Sequence, residues 1–228
     1  TQPLLGVHTR LTDEVEEWKI QRSLQMVRQM GASWIVEFFP WAYYQASDGS
    51  VAWEHPDQVV GHAAANGLTV IARLGYTPDW ARPADTPMTY LDATAYDDFA
   101  AFAAAFAARY RGQVDYLIIG NEPNNVREHP GGYRRPIEHI TPEMYAEAFN
   151  LARRRIKEAH PDACVVPGAI DPYFGLSLPL TGQRYRPLDY FRQMLSCIDD
   201  LDGFCLHTYT HWLDIDLVTR LTVFQDQF

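Results

Sequence analysis

Asn121 and Glu122 stand side by side in "DYLIIGNEPNN", directly after an apolar run and Gly120. A carboxylate at the end of a buried strand can donate a proton and later take it back at a fixed point, provided that it holds the proton at rest. A second pair, His207 and Tyr209, ends another short apolar stretch, and its spacing of two puts both side chains on one strand face. His207 and His211 have i, i+4 spacing, but on a strand and its following loop this does not align two metal ligands as a helix would. There is no HExxH, and Cys164, Cys197 and Cys205 contain no CxxC. "GLSLP" at 175–179 is not GxSxG. Neither GxGxxG nor GxxxxGK[ST] occurs, so neither a metal nor a nucleotide cofactor is expected.

These residues must be positioned by strands, and the chain alternates strands with helices. Strands are predicted at 4–9, 33–39, 68–75, 114–122, 163–171 and within 201–211. Helices are predicted at 13–31, 56–67, 95–112, 141–161 and 187–198, with an incipient one in the tail. The apolar positions Val15, Trp18, Ile20, Leu24, Val27 and Met30 mark the first helix. Thr141, Pro142 and Glu143 are the cap, first-turn proline and first-turn acid of the fourth. Six strand–helix units imply parallel strands, and continuous apolar strands suit a sheet buried on both faces. In an open sheet the post-strand residues His8, Arg10, Glu37, Trp41, Arg73, Tyr76, Asn121, Glu122, Asp171, His207 and Tyr209 would spread along an edge. In a barrel they converge on one mouth, so an α/β barrel of the (β/α)8 type, apparently incomplete at six units, is the expected fold.

At "IIGNEPN" together with "LHTYTH", the chain resembles the retaining β-glycosidases with a (β/α)8 barrel, the clan of cellulase-like and β-xylosidase-like enzymes. "ARLGYTPDWA" is also similar to their third-strand loop. The resemblance covers nearly the whole chain in element order and implies one domain over 1–228. It implies that Glu122 is the general acid/base, that Asn121 binds the sugar 2-hydroxyl, and that Tyr209 approaches the nucleophile. Such enzymes pair two carboxyls roughly 5–5.5 Å apart. The family's nucleophile ends the seventh strand, and no Glu follows Glu158 here. Either the chain is a fragment or the natural protein has lost two units. A missing C-terminal segment or a partner chain is expected to cover the open barrel edge.

Three readings of Glu37 stand: a substitute nucleophile, a buried ion pair with Arg73 or Arg10, or a substrate contact. Asp171 is a candidate for a sugar hydroxyl, whereas Asp202 precedes its strand and belongs to the opposite face. Trp41 and Trp80, with Tyr43, Tyr44, Tyr76, Tyr133, Tyr173 and Trp212, follow strands where rings can stack on sugars. Trp18, Trp34 and Trp53 read as packing residues. The expected partner is an oligosaccharide, polysaccharide or glycoside. The alternatives are a carbohydrate-binding or scaffold barrel without catalysis, and a proton-transfer enzyme of another kind. The last would ordinarily bring a functional Lys, and Lys19 and Lys157 both lie on helices. A net charge of −10 argues against nucleic acid. No apolar run approaches the ~20 residues of a membrane span. Thr1 opens the chain without a Met, so the expectation is a soluble protein, cytoplasmic or secreted with its leader removed.

Overall fold

The computed structural model describes residues 5–125, 140–172 and 186–207. Five strands, β1 (Val7–His8), β2 (Trp34–Pro40), β3 (Thr69–Gly75), β4 (Tyr116–Ile119) and β5 (Cys164–Pro167), form one parallel sheet in the order β1-β2-β3-β4-β5. The longer connections carry helices α1 (Glu17–Gln29), α3 (Glu54–Ala65), α4 (Tyr96–Arg109) and α5 (Pro142–Ala159). A short α2 (Trp41–Tyr44) follows β2, and α6 (Pro187–Cys197) follows β5. Sequential parallel pairing through helical crossovers builds the wall of an α/β barrel, with the helices outside. No helix among the described residues is long and apolar enough to cross a membrane.

The register assigns the two faces. Ile35, Glu37 and Phe39 of β2 align with Val70, Ala72 and Leu74 of β3, and these in turn with Leu117 and Ile119 of β4. This face is buried under the helices, against Leu24 of α1, Val59 of α3, Phe102 and Phe106 of α4, and Phe149 and Ile156 of α5. The opposite, luminal face carries Val36, Phe38, Ile71, Arg73 and Val166, all half-buried, and Tyr116, which is exposed.

The helices follow their local chemistry. Alanines give α4 high helix propensity and a slim face against α5. Thr141 caps α5 as predicted, its Oγ1 accepting the Met144 N–H at 3.2 Å, with Pro142 in the first turn. The first helix is shorter than predicted because Leu11–Asp13 forms its own 3-10 turn. Only Ile20, Leu24 and Val27 of its apolar set are buried. Val15, Met30 and Trp18 are exposed, so Trp18 is not a packing residue.

The sixth predicted strand also differs. Residues 201–207 run beside β5 without joining the sheet. Asp202 Oδ2 accepts the Val165 N–H at 2.8 Å, satisfying by side chain an amide that a strand neighbour would otherwise take. Tyr209 and His211 lie outside the described residues.

Candidate active site

Two glycines and one strained glutamate shape the end of β4. Gly120 has φ +75°, and Glu122 has φ +40°, in the left-handed region that non-glycine residues rarely occupy. The backbone around Glu122 is held on both sides. Its N–H donates to Ala169 O at 2.8 Å, and its carbonyl accepts the Asn125 N–H at 2.8 Å. Beneath it, Gly168 N–H donates to Ile119 O at 2.9 Å. A Cβ at Gly168 would lie 2.8 Å from the Gly120 backbone, so only glycine lets the ends of β4 and β5 meet. The Tyr145 hydroxyl of α5 locks this junction, donating to Ile119 O and accepting from Gly168 N–H.

The side chains above this junction form a connected set. Glu122 Oε1 lies 2.5 Å from His207 Nδ1, and Glu122 Oε2 accepts from Asn125 Nδ2 at 3.2 Å. The same amide donates to Asp171 Oδ2 at 3.0 Å, and Asn124 pairs with the backbone of Asp171 through both side-chain atoms, each at 2.8 Å. On the other side, Asn121 Oδ1 accepts from Arg73 Nη1 at 2.9 Å. The Arg73 guanidinium lies over the Phe38 ring, 4.8 Å from its centroid. A carboxyl and an imidazole in hydrogen-bond contact are groups of the kind that hand a proton to or take one from a group bound above them. They face a cleft of about 930 Å³, bordered by His8, Arg10, Tyr43, Arg73, Tyr76, Asn121, Glu122 and His207. Partial burial and the Arg73 charge hold the His8 imidazole below its usual range.

The structure thus brings Asn121, Glu122, His207, Arg73 and Asp171 together. Two predicted residues, Glu37 and Trp41, are fully buried. Glu37 is fully buried on the helix side of β2 and pairs with neither Arg73 nor Arg10. It accepts from Thr9 Oγ1 (2.5 Å), Leu11 N (3.0 Å), Thr12 N (3.1 Å) and Thr12 Oγ1 (2.9 Å). It lies in the wall of the cleft, but both of its oxygens are taken up in fastening the segment after β1. Trp41 is likewise fully buried, packed among Trp80, Phe99 and Phe102, and offers no face to a sugar. Trp80 is 39% exposed, with its Nε1 donating to Gln45 O at 3.1 Å. Tyr209, Tyr133, Tyr173 and Trp212 lie outside the described residues.

Sequence reasoning passed over Asn124, Asn125 and Tyr145. The signal for the asparagines was the repeated amide in "NEPNN", a residue type that braces turns. Tyr145 gave none, because its hydroxyl partners are remote in sequence.

No family model matches the sequence, and no curated protein does either. Solved structures do. The GH39 enzyme from Xanthomonas axonopodis pv. citri superposes with a TM-score of 0.63 at 14% identity, over 90% of this chain and 40% of that one. The exo-β-1,4-mannosidase Op5Man5 from Opitutaceae bacterium strain TAV5 gives 0.60 at 16% identity, over 90% and 38%. A family 39 glycoside hydrolase from Bacteroides cellulosilyticus WH2 gives 0.57 at 17% identity, over 71% and 31%. The chain shares the (β/α)8 fold of these glycoside hydrolases and spans less than half the length of each.

Proposed function

We propose that the chain belongs to a glycoside hydrolase that cleaves β-glycosidic bonds with retention, and that Glu122 is its general acid/base. The observation that carries this reading is the Glu122 carboxyl at the mouth of the cleft. It is fixed by strained backbone below and by His207 and Asn125 at its two oxygens. The fold shared with glycoside hydrolases adds weight.

In this mechanism Glu122 protonates the departing oxygen while a second carboxylate attacks the anomeric carbon. Glu122 then takes a proton from the water that releases the sugar. His207, in contact with Glu122 Oε1, orients the Glu122 carboxyl. Asn121, held by Arg73, contacts the sugar beside the reacting carbon. We assign the attacking carboxylate to residues outside the described ones, since Glu37 is fully buried with both oxygens occupied.

The test compares leaving groups in the product of the complete gene. Glu122→Gln is expected to slow hydrolysis of alkyl and disaccharide substrates by about 10²–10⁴-fold. The first step on activated aryl glycosides, which needs little protonation, should be nearly spared. Equal losses on both substrate types would remove Glu122 from the acid role. Saturable sugar binding with no turnover of any glycoside would favour a binding barrel instead.

A further inference from the structure

Behind the cleft lies a second space that the chemistry above does not use. It is a chamber of about 140 Å³ between the end of β3, the end of β4 and the first turns of α5. Its walls include Leu91, Phe99, Ile119, Met144, Tyr145 and Phe149, so it is predominantly apolar. Its size is close to the ~150 Å³ of apolar cavities that stay dry and admit benzene.

The chamber is joined to the site. Tyr76, Asn121 and Glu122 border both spaces. Where β3 and β4 end side by side, both carry glycine: a Cβ on Gly75 would lie 3.6 Å from the Gly120 Cα, and one on Gly120 would lie 3.3 Å from the Tyr145 ring. Side chains at these two positions would take up the room between strand ends and α5. Tyr76, next to Gly75, has φ +61°, a conformation uncommon for an aromatic residue, with its ring edge-on to Phe38 at 4.6 Å. Such outliers persist where the surroundings hold them, and they gather at ligand sites.

We infer that this chamber takes an apolar ring carried by the cleft's ligand, and that the preferred substrates are glycosides of small aromatic alcohols. This rests on the proposed role of Glu122. An acid that protonates the departing oxygen stands next to the departing group, and Glu122 borders the chamber. Polar groups on the wall, among them Arg73, Thr77, Thr89 and Asn125, are outnumbered by apolar ones, so a sugar in the departing position would set most of its hydroxyls against side chains such as Leu91, Phe99 and Phe149, whereas a phenyl ring has none to satisfy.

Two measurements on the product of the complete gene test this. In the first, phenol binding is followed by calorimetry or NMR without any turnover. The wild type is expected to bind it saturably, and Met144→Trp, which fills the chamber, should weaken binding about tenfold or more. In the second, kcat/KM is compared for phenyl and methyl β-glycosides. Met144→Trp should lower the phenyl-to-methyl ratio about tenfold or more. Met144→Ala should shift preference towards a naphthyl glycoside. Because the leaving-group chemistry is the same in every variant, a change in ratio reports the chamber. Absence of saturable phenol binding, or Met144 variants that unfold normally yet change neither binding nor ratio, would overturn the inference. If no glycoside is hydrolysed at all, the proposed hydrolase fails, and phenol binding alone decides the chamber.

Discussion

Asn121 is held one way round. A guanidinium can only donate, so the Asn121 oxygen must face Arg73, and its NH2 group is turned towards the other side. Arg73→Met should release this orientation. It is expected to cut kcat/KM by about as much as Asn121→Ala, on the order of ten- to a hundredfold. The double variant should lose little more than either single one, because both remove the same interaction. Additive losses in steady-state kinetics would show the two acting apart. At this scale the sequence was informative where chemistry was local: Asn121 and Glu122 follow a strand, and His207 lies at the end of an apolar stretch. It was uninformative for Glu37 and Trp41. β2 is apolar on both faces, so nothing in "WIVEFFP" says which alternate set faces the lumen. Only pairing with β3 decides it.

The elements are tied down by buried and half-buried carboxylates. Glu37 is the acceptor for four donors around β1 and the following turn. Glu37→Ala would strand those donors, at a cost of about 3 kcal/mol or more, measurable by urea unfolding. Asp202 plays the same part between α5 and β5, where Val165 N–H, Lys157 and Arg153 converge on it. Burial alone would raise its pKa, but these three partners together outweigh burial and hold it below the usual value. A depressed folded-state pKa gives stability that is fully present above the unfolded value, near 3.9, and is lost as pH falls through the folded value. Asp202→Asn should therefore cost about 1–2 kcal/mol at pH 7, discounted for solvent, and progressively less below about pH 4. A cost that persists unchanged at pH 2 would assign the effect to packing. The five longer helices and all five strands of the sheet were legible from periodicity and capping. The sixth strand was not, because an Asp side chain can take a ladder amide that sequence patterns assign to backbone.

At the scale of the molecule, the exposed surface is unusual for a barrel. The luminal side chains Val36, Phe38, Ile71 and Val166 are only half-buried, and Trp18, Met26 and Met30 stand exposed along α1. Apolar surface left open to water on both the luminal and the helix side drives association. The 228 residues expressed alone are expected to self-associate, to bind a hydrophobic dye and to hydrolyse no aryl β-glycoside. Sedimentation and dye fluorescence check this, and a cooperative, active monomer would refute it.

The strand order has one more consequence. Each strand pairs with the one before it, so its neighbour has always left the ribosome first. At roughly 5–20 residues per second, the interval between units is seconds, whereas helices and turns form in microseconds. Each unit can therefore settle onto its predecessor before the next appears. The growing chain always presents a single fresh edge, and that edge travels from β1 towards β5 as translation proceeds. A nascent chain of this protein is never short of a template, and it is also never without an unpaired edge that a neighbouring polysome could capture.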